Sequence, residues 1–324
     1  MVVFPRYPTA KNLAGLLGCA AELARLSDTG AECDGHAVRF VDPCAMAVFG
    51  SMAERYRNSG ASLCLTNFSN ETLSYLSRMD AFGDFISRSV ELGGRHDRHD
   101  SLLEVTRIEA GERTDDAARR LVASLLGGMS DLPEDEEPDE MSGMTRRYAL
   151  EEPLEYIFTE LLDNTFQHGR RYGFEASAWV CAQYYPKKDI VRFAIVDNGC
   201  GFLRSLSEHP DLPDQSDAAA IRLALRERAS CNPALLLRGG DHSANQGVGL
   251  TVVSRIIEMA GGRMWIASGD AVLDLRADKL QSVHHWQGCI LATEVSREAL
   301  MGIRVYQVIR SLKQPGVRVN LDFS

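Results

Sequence analysis

Three short segments fall in a fixed order along the second half of this chain, and their order constrains the fold more than any one of them does. They are Glu160-Leu-Leu-Asp163-Asn164-Thr-Phe-Gln-His168, then Asp197-Asn-Gly199-Cys-Gly201, then Gly247-Val-Gly249-Leu250. The first lies on a helix expected over residues 151–168, with Pro153 tolerated in its first turn. At helical spacing Glu160, Asn164, Gln167 and His168 share one face, while Ile157, Leu161 and Leu162 turn toward a core. The second segment follows a strand expected over 189–196, where Val191, Phe193 and Ile195 alternate with their neighbours, so Asp197 stands at a strand end. The third opens a helix expected over 248–260, which Gly261-Gly262 stops.

Each residue type suits one part of a nucleotide. The Asn164 amide oxygen is a neutral ligand of the kind Mg²⁺ accepts while it keeps waters and phosphate oxygens around it. Glu160, one turn earlier, can take a proton from a water or hydroxyl that attacks a γ-phosphate. Asp197 can accept a hydrogen bond from an exocyclic amine such as that of adenine, and Gly199 and Gly201 allow the backbone to come close. Free N–H groups at the start of the third segment's helix favour phosphate. Taken singly, the segments also allow a helix with a solvated polar face and an ordinary Asp-Asn-Gly turn.

In this order the segments resemble the GHKL ATPases, which include the ATP-binding domains of gyrase, Hsp90, MutL and histidine kinases and the anti-sigma-factor kinases. The likeness runs over about residues 114–296 and is strongest to the anti-sigma-factor-kinase and histidine-kinase branches. It implies ATP and Mg²⁺ as ligands, Glu160 as catalytic base, Asn164 as metal ligand and Asp197 as adenine reader. Gly199, Gly201, Gly247, Gly249 and Leu250 would shape the nucleotide pocket. The fold it implies is α/β: a Bergerat sandwich of a mixed sheet with helices on one face, with strands over 176–184, 189–196, 263–267, 271–275 and 289–295. One position departs from the family. Gly288 is followed by Cys289 where a threonine hydroxyl usually helps to hold adenine, and a thiol is a poorer partner; Thr293 is close by in sequence. Residues 202–246 have the length of the family's ATP lid and carry an expected helix over 216–228. Arg226, Arg228, Arg238 and His242 in that stretch are either phosphate contacts or solvated charges.

Ahead of this domain, residues 1–100 are expected to form a smaller α/β domain, with residues 101–324 as the ATP-binding one. The pattern is helix 9–26, strand 38–41, helix 45–59, strand 62–66 and helix 71–79. Val41-Asp42-Pro43-Cys44-Ala45-Met46 and Leu63-Cys-Leu-Thr66-Asn67 resemble a STAS domain, the fold of anti-sigma-factor antagonists, over about residues 36–86. That family carries a phosphorylatable Ser or Thr near the position of Cys44, so the resemblance implies a docking or sensing module without phosphotransfer. A generic α/β lobe is the other reading.

The formal net charge of −10 is concentrated: residues 131–140 hold seven acids, two prolines and no base. Such a block, within an insertion at about 129–145, is expected to be a mobile loop that packs against nothing. No basic stripe points to nucleic acid. No apolar run approaches the ~20 residues that span a bilayer, and no signal peptide is visible, so a cytoplasmic protein is expected. The eight cysteines contain no Cys-x-x-Cys pair, and His96 and His99 lie in a polar stretch without further metal-type ligands. Two functions remain open. One is an enzyme that hydrolyses ATP or transfers its γ-phosphate to a protein Ser/Thr; the other is a non-catalytic ATP-dependent switch that binds a protein partner through the N-terminal domain and the lid. A homodimer is compatible with either.

Overall fold

The structure is a computed structural model that describes residues 1–86, 90, 102–109, 111–127, 129–140, 143–226 and 249–313. The N-terminal part is a three-stranded parallel sheet, β1 (Val2–Val3), β2 (Ala31–Asp34) and β3 (Leu63–Thr66), in that order. Helices α1 (Leu13–Leu26) and α2 (Pro43–Ser59) make the crossovers, and α3 (Asn70–Arg78) follows β3. The strand expected over 38–41 is absent; that stretch is irregular, and the strand lies upstream at β2. The reason lies at Asp42. Its Oδ1 accepts the Ala45 N–H at 3.1 Å and its Oδ2 the Ala10 N–H at 2.9 Å, so residues 38–41 serve to bring a helix cap into place. Pro43 in the first turn of α2 completes that start.

The larger sheet has five strands in the order β4 (Leu102–Ile108), β5 (Ala178–Tyr185), β6 (Ile190–Asp197), β8 (Lys279–Ser296), β7 (Arg263–Asp274). Every neighbouring pair is antiparallel, where a mixed sheet was expected. The two strands expected over 263–275 are one: β7 runs through an irregularity at Gly269, where a side chain would overlap Asp217. On one face lie α4 (Thr114–Gly127), α5 (Arg146–Asp163) and α8 (Gly249–Met259), in a core that takes Val191, Phe193 and Ile195 from β6. The segment between β6 and α8 carries α6 (Gly201–Leu206) and α7 (Asp217–Ala224), the latter capped by the Ser216 hydroxyl. After β8 come α9 (Arg297–Met301) and α10 (Val305–Lys313).

Helices cover the other face as well, contrary to expectation. Residues Ala194 and Val196, which alternate with the first set, join an apolar cluster with α1 and α2. All three tryptophans of the chain, Trp179, Trp265 and Trp286, are buried there. An aromatic ring of that size buries roughly 150–250 Å². The N-terminal elements therefore supply half of the cover that this sheet needs. Cys44 sits in this core, buried, and burial pushes its thiol well above the ordinary range, so it is not presented as a phosphate acceptor. No helix among the described residues is long and apolar enough to cross a membrane.

The acidic segment also differs from expectation. Leu132 is fully buried, and both oxygens of Asp131 accept from Arg297 at 2.7 and 2.9 Å. Glu136 accepts the Arg146 N–H at 2.8 Å, and Arg147 donates to the Leu132 carbonyl at 3.1 Å. Asp131, Glu134 and Glu136 thus find partners in Arg297 and in Arg146 and Arg147 at the start of α5.

Candidate functional site

The site forms where the end of α5 meets the end of β6. Helix α5 begins earlier than the sequence pattern suggests, at Arg146 with Thr145 as its cap, which places Pro153 inside the helix and not in its first turn. Its last turn, Asn164–His168, widens into π-helix. That widening separates residues expected to share a face: Gln167 is exposed, while Glu160, Asn164 and His168 are half-buried. Burial, with Arg171 nearby, pushes the His168 imidazole down to about 4, so it is neutral at pH 7.

Asp197 is 4 % exposed at the end of β6. Its Oδ1 accepts the Gly199 N–H at 2.9 Å and the Cys289 N–H at 3.1 Å. Its Oδ2 has a weaker partner, the Thr165 hydroxyl at 3.4 Å, and that hydroxyl also lies 3.2 Å from the Leu161 carbonyl. One proton serves two acceptors, so Oδ2 keeps capacity for a further donor. Burial pushes the Asp197 carboxyl up to about 6 despite these hydrogen bonds. A buried carboxylate with one oxygen fixed by two N–H groups and the other only weakly engaged can accept an exocyclic amine.

The glycines of the second segment act by close approach. A Cβ on Gly199 would stand 2.7 Å from Gly169 Cα, so only glycine lets the Asp197 turn rest on the end of α5, where Cys200 N–H bonds the Gly169 carbonyl at 2.9 Å. Gly201 has φ +75°, and a Cβ there would meet Ser268 Oγ at 2.9 Å. Ser268, fully buried on β7, accepts the Phe202 N–H and donates to the Gly288 carbonyl, both at 3.0 Å. These bonds tie the turn to β7 and β8.

At the other end of the site, burial pushes the Glu160 carboxyl up to about 7. Its Oε2 occupies the space that a side chain on Gly249 would need, so the carboxylate rests against the first residue of α8. Among the described residues the Asn164 side chain has no hydrogen-bond partner, which leaves its amide oxygen open to a cation. No group of three or more His, Cys, Asp or Glu is arranged to hold a metal ion among the described residues. A cation here would thus rest on Asn164 with phosphate and water, as Mg²⁺ does.

The structure therefore brings Glu160, Asn164, Asp197, Gly199, Gly201 and Gly249 into one region, while Leu250 is buried in the core behind it. Gly247, Arg228, Arg238 and His242 fall outside the described residues, as do His96 and His99. Thr293 does not substitute for the missing hydroxyl at Cys289: it lies within reach of the Phe193 carbonyl, 3.5 Å away, farther along β8. Thr165 was not singled out by its sequence context, yet it provides the hydroxyl beside Asp197. Its position directly after Asn164 is the one signal that could have marked it. The Cys289 thiol, meanwhile, faces Ser268 at 3.7 Å, and it is the backbone of Cys289 that reaches Asp197.

A carboxylate and an amide on one helix, a buried aspartate at a strand end and a glycine-led helix are thus gathered at one end of the sheet. Residues 149–281 match the model of the family described as histidine kinase-, DNA gyrase B-, and HSP90-like ATPase. Domains of this kind bind ATP, generally with Mg²⁺. No curated protein and no solved structure matches the chain.

Proposed function

We propose that the protein is a cytoplasmic regulator that binds Mg-ATP between α5, the Asp197 turn and α8, and either hydrolyses it or passes its γ-phosphate to a Ser or Thr hydroxyl of a partner protein. Glu160 carries the reading. Its carboxyl, raised to about 7, rests against the start of α8, where free N–H groups favour phosphate. A general base works best when its pKa lies near the working pH. Glu160 takes the proton of the attacking water or hydroxyl as its oxygen bonds the γ-phosphorus; the bond from the γ-phosphorus to the bridging oxygen breaks, and ADP leaves. Mg²⁺, held by the Asn164 amide oxygen and phosphate oxygens, would neutralise the charge on the leaving diphosphate. Asp197 Oδ2 accepts the adenine amine, and Gly199, Gly201 and Gly249 keep the backbone close. The N-terminal elements serve docking or sensing.

Purified protein incubated with γ-labelled ATP and Mg²⁺, followed for both free phosphate and labelled protein, tests this reading. Glu160→Gln should bind ATP as the wild type does and lose on the order of 10²-fold in phosphate release or transfer. Wild-type turnover should rise with pH through about 7, where Glu160 loses its proton. A Gln variant that turns over at the wild-type rate would replace the catalytic assignment with an ATP-dependent binding switch.

A further inference from the structure

A cavity of about 540 Å³ lies on the face of the sheet opposite Asp197, between residues 7–12 and 40–42 of the N-terminal part and strands β6, β7 and β8. Small-molecule sites occupy roughly 300–1,000 Å³. Its walls include the rings of Tyr7, Phe40, Tyr185 and Trp265. Charged groups also line it: Lys11, Lys188 and Arg192 are the cations, Asp42 and Glu294 the acids.

The acids are committed within the fold. Asp42 caps α2 and holds the Ala10 N–H, and Glu294 accepts from Lys11 at 3.0 Å and pairs with Arg192. The donors are not all committed. Lys188 is exposed at the rim and has no ion-pair or hydrogen-bond partner among the described residues. Arg192 Nε is buried without a hydrogen-bond partner among the described residues, and the Tyr185 hydroxyl is buried beside Arg192 and Tyr75. The Arg192 guanidinium lies over the Tyr185 ring at 5.1 Å and over the Phe40 ring at 5.6 Å, so cation and aromatic surface are interleaved. A spare guanidinium N–H, an exposed cation and aromatic walls suit an anion with a flat apolar body.

We propose that this cavity binds a small aromatic carboxylate, with its ring among Phe40, Tyr185 and Trp265 and its carboxylate toward Arg192 and Lys188. The site is distinct from the nucleotide site yet mechanically close to it. Arg192 and Asp197 are on the same strand, on opposite faces and five residues apart, about 17 Å at strand rise. Glu294 and Cys289 repeat the arrangement on β8. Such a ligand would give the N-terminal part something to sense.

The test needs no nucleotide, so it stands or falls apart from the ATP reading. The full-length protein is titrated by calorimetry with phenylacetate, 4-hydroxyphenylacetate and indole-3-acetate, and with neutral phenylacetamide as control. At least one carboxylate should bind saturably at one site per chain, about tenfold or more tighter than phenylacetamide does. Lys188→Glu, an exposed change that leaves the melting temperature alone, should weaken that carboxylate about tenfold. Arg192→Met should abolish its binding. The proposal is overturned if none of the three carboxylates binds saturably below about 10 mM, if phenylacetamide binds equally well, or if Lys188→Glu binds as the wild type does.

Discussion

Replacing Asp197 by Asn should move two measurements in opposite directions, and the structure gives the size of each. The carboxyl of Asp197 is raised from 3.8 to about 6 in the folded protein because it is buried. A carboxyl raised in this way contributes its full stability below pH ~3.8, where both states are protonated, and that contribution is lost as pH rises through about 6. At pH 8 the cost of keeping the charge buried is on the order of 3 kcal/mol. The amide avoids it. Its oxygen can stay at Oδ1 and accept the Gly199 and Cys289 N–H groups, while its NH₂ donates to the Thr165 hydroxyl, whose own proton then goes to the Leu161 carbonyl. At roughly 2 °C per kcal/mol for a chain of this size, the ligand-free variant should melt about 5 °C above wild type at pH 8, with the difference vanishing near pH 4. Mg-ATP should give the opposite result. The amide presents a donor to the adenine donor, which costs one charge-assisted hydrogen bond and leaves a buried donor unpaired, about 3 kcal/mol or more, so affinity falls by on the order of 10²-fold. The wild-type stabilisation of ~2.7 kcal/mol at a hundredfold excess over Kd should disappear. Scanning fluorimetry at pH 4 and pH 8, with and without Mg-ATP, reads both effects. A variant that melts lower than wild type without ligand at pH 8, or that keeps the ATP shift, would refute the assignment of Asp197 to adenine.

Gly249→Ala places a methyl group where Glu160 Oε2 now lies. The carboxylate is the free end of a flexible side chain, so it should swing aside at a cost below about 1 kcal/mol in stability, while turnover falls about tenfold or more because the base is displaced; full turnover in this variant would mean that Glu160 acts from another position. Leu132→Ala, in the acidic segment, should destabilise the protein by about 2–5 kcal/mol in urea titrations, since Leu132 is fully buried. A loss under about 0.5 kcal/mol would show that the segment carries no packing.

Local pattern was enough for the presence of α5, β5, β6 and α8, because a repeat of 3.6 or 2 is written in neighbouring residues, although the Thr145 cap that starts α5 was not read. It also points to Glu160, Asn164, Asp197 and the glycines beside them as candidates, since each chemistry needs a particular residue type at a particular offset from a helix or strand, and the fold brings them into one region. Other features depend on pairings between distant residues. Strand β2 has four residues and β4 no clean alternation, so each is a strand because of what it pairs with, β3 and β5. The acidic segment reads as unsatisfied charge until Arg297, 166 residues away from Asp131, is brought beside it. The hydroxyl beside Asp197 is Thr165, 32 residues earlier, marked in the sequence only by its place after Asn164. The same holds for the outer face of the large sheet: alternation in β6 shows that both faces are apolar, but not that α1 and α2 cover the second one. Sequence carries the contacts that lie within a turn or a strand; burial, charge pairing and the second face of a sheet are settled where distant segments exclude water together.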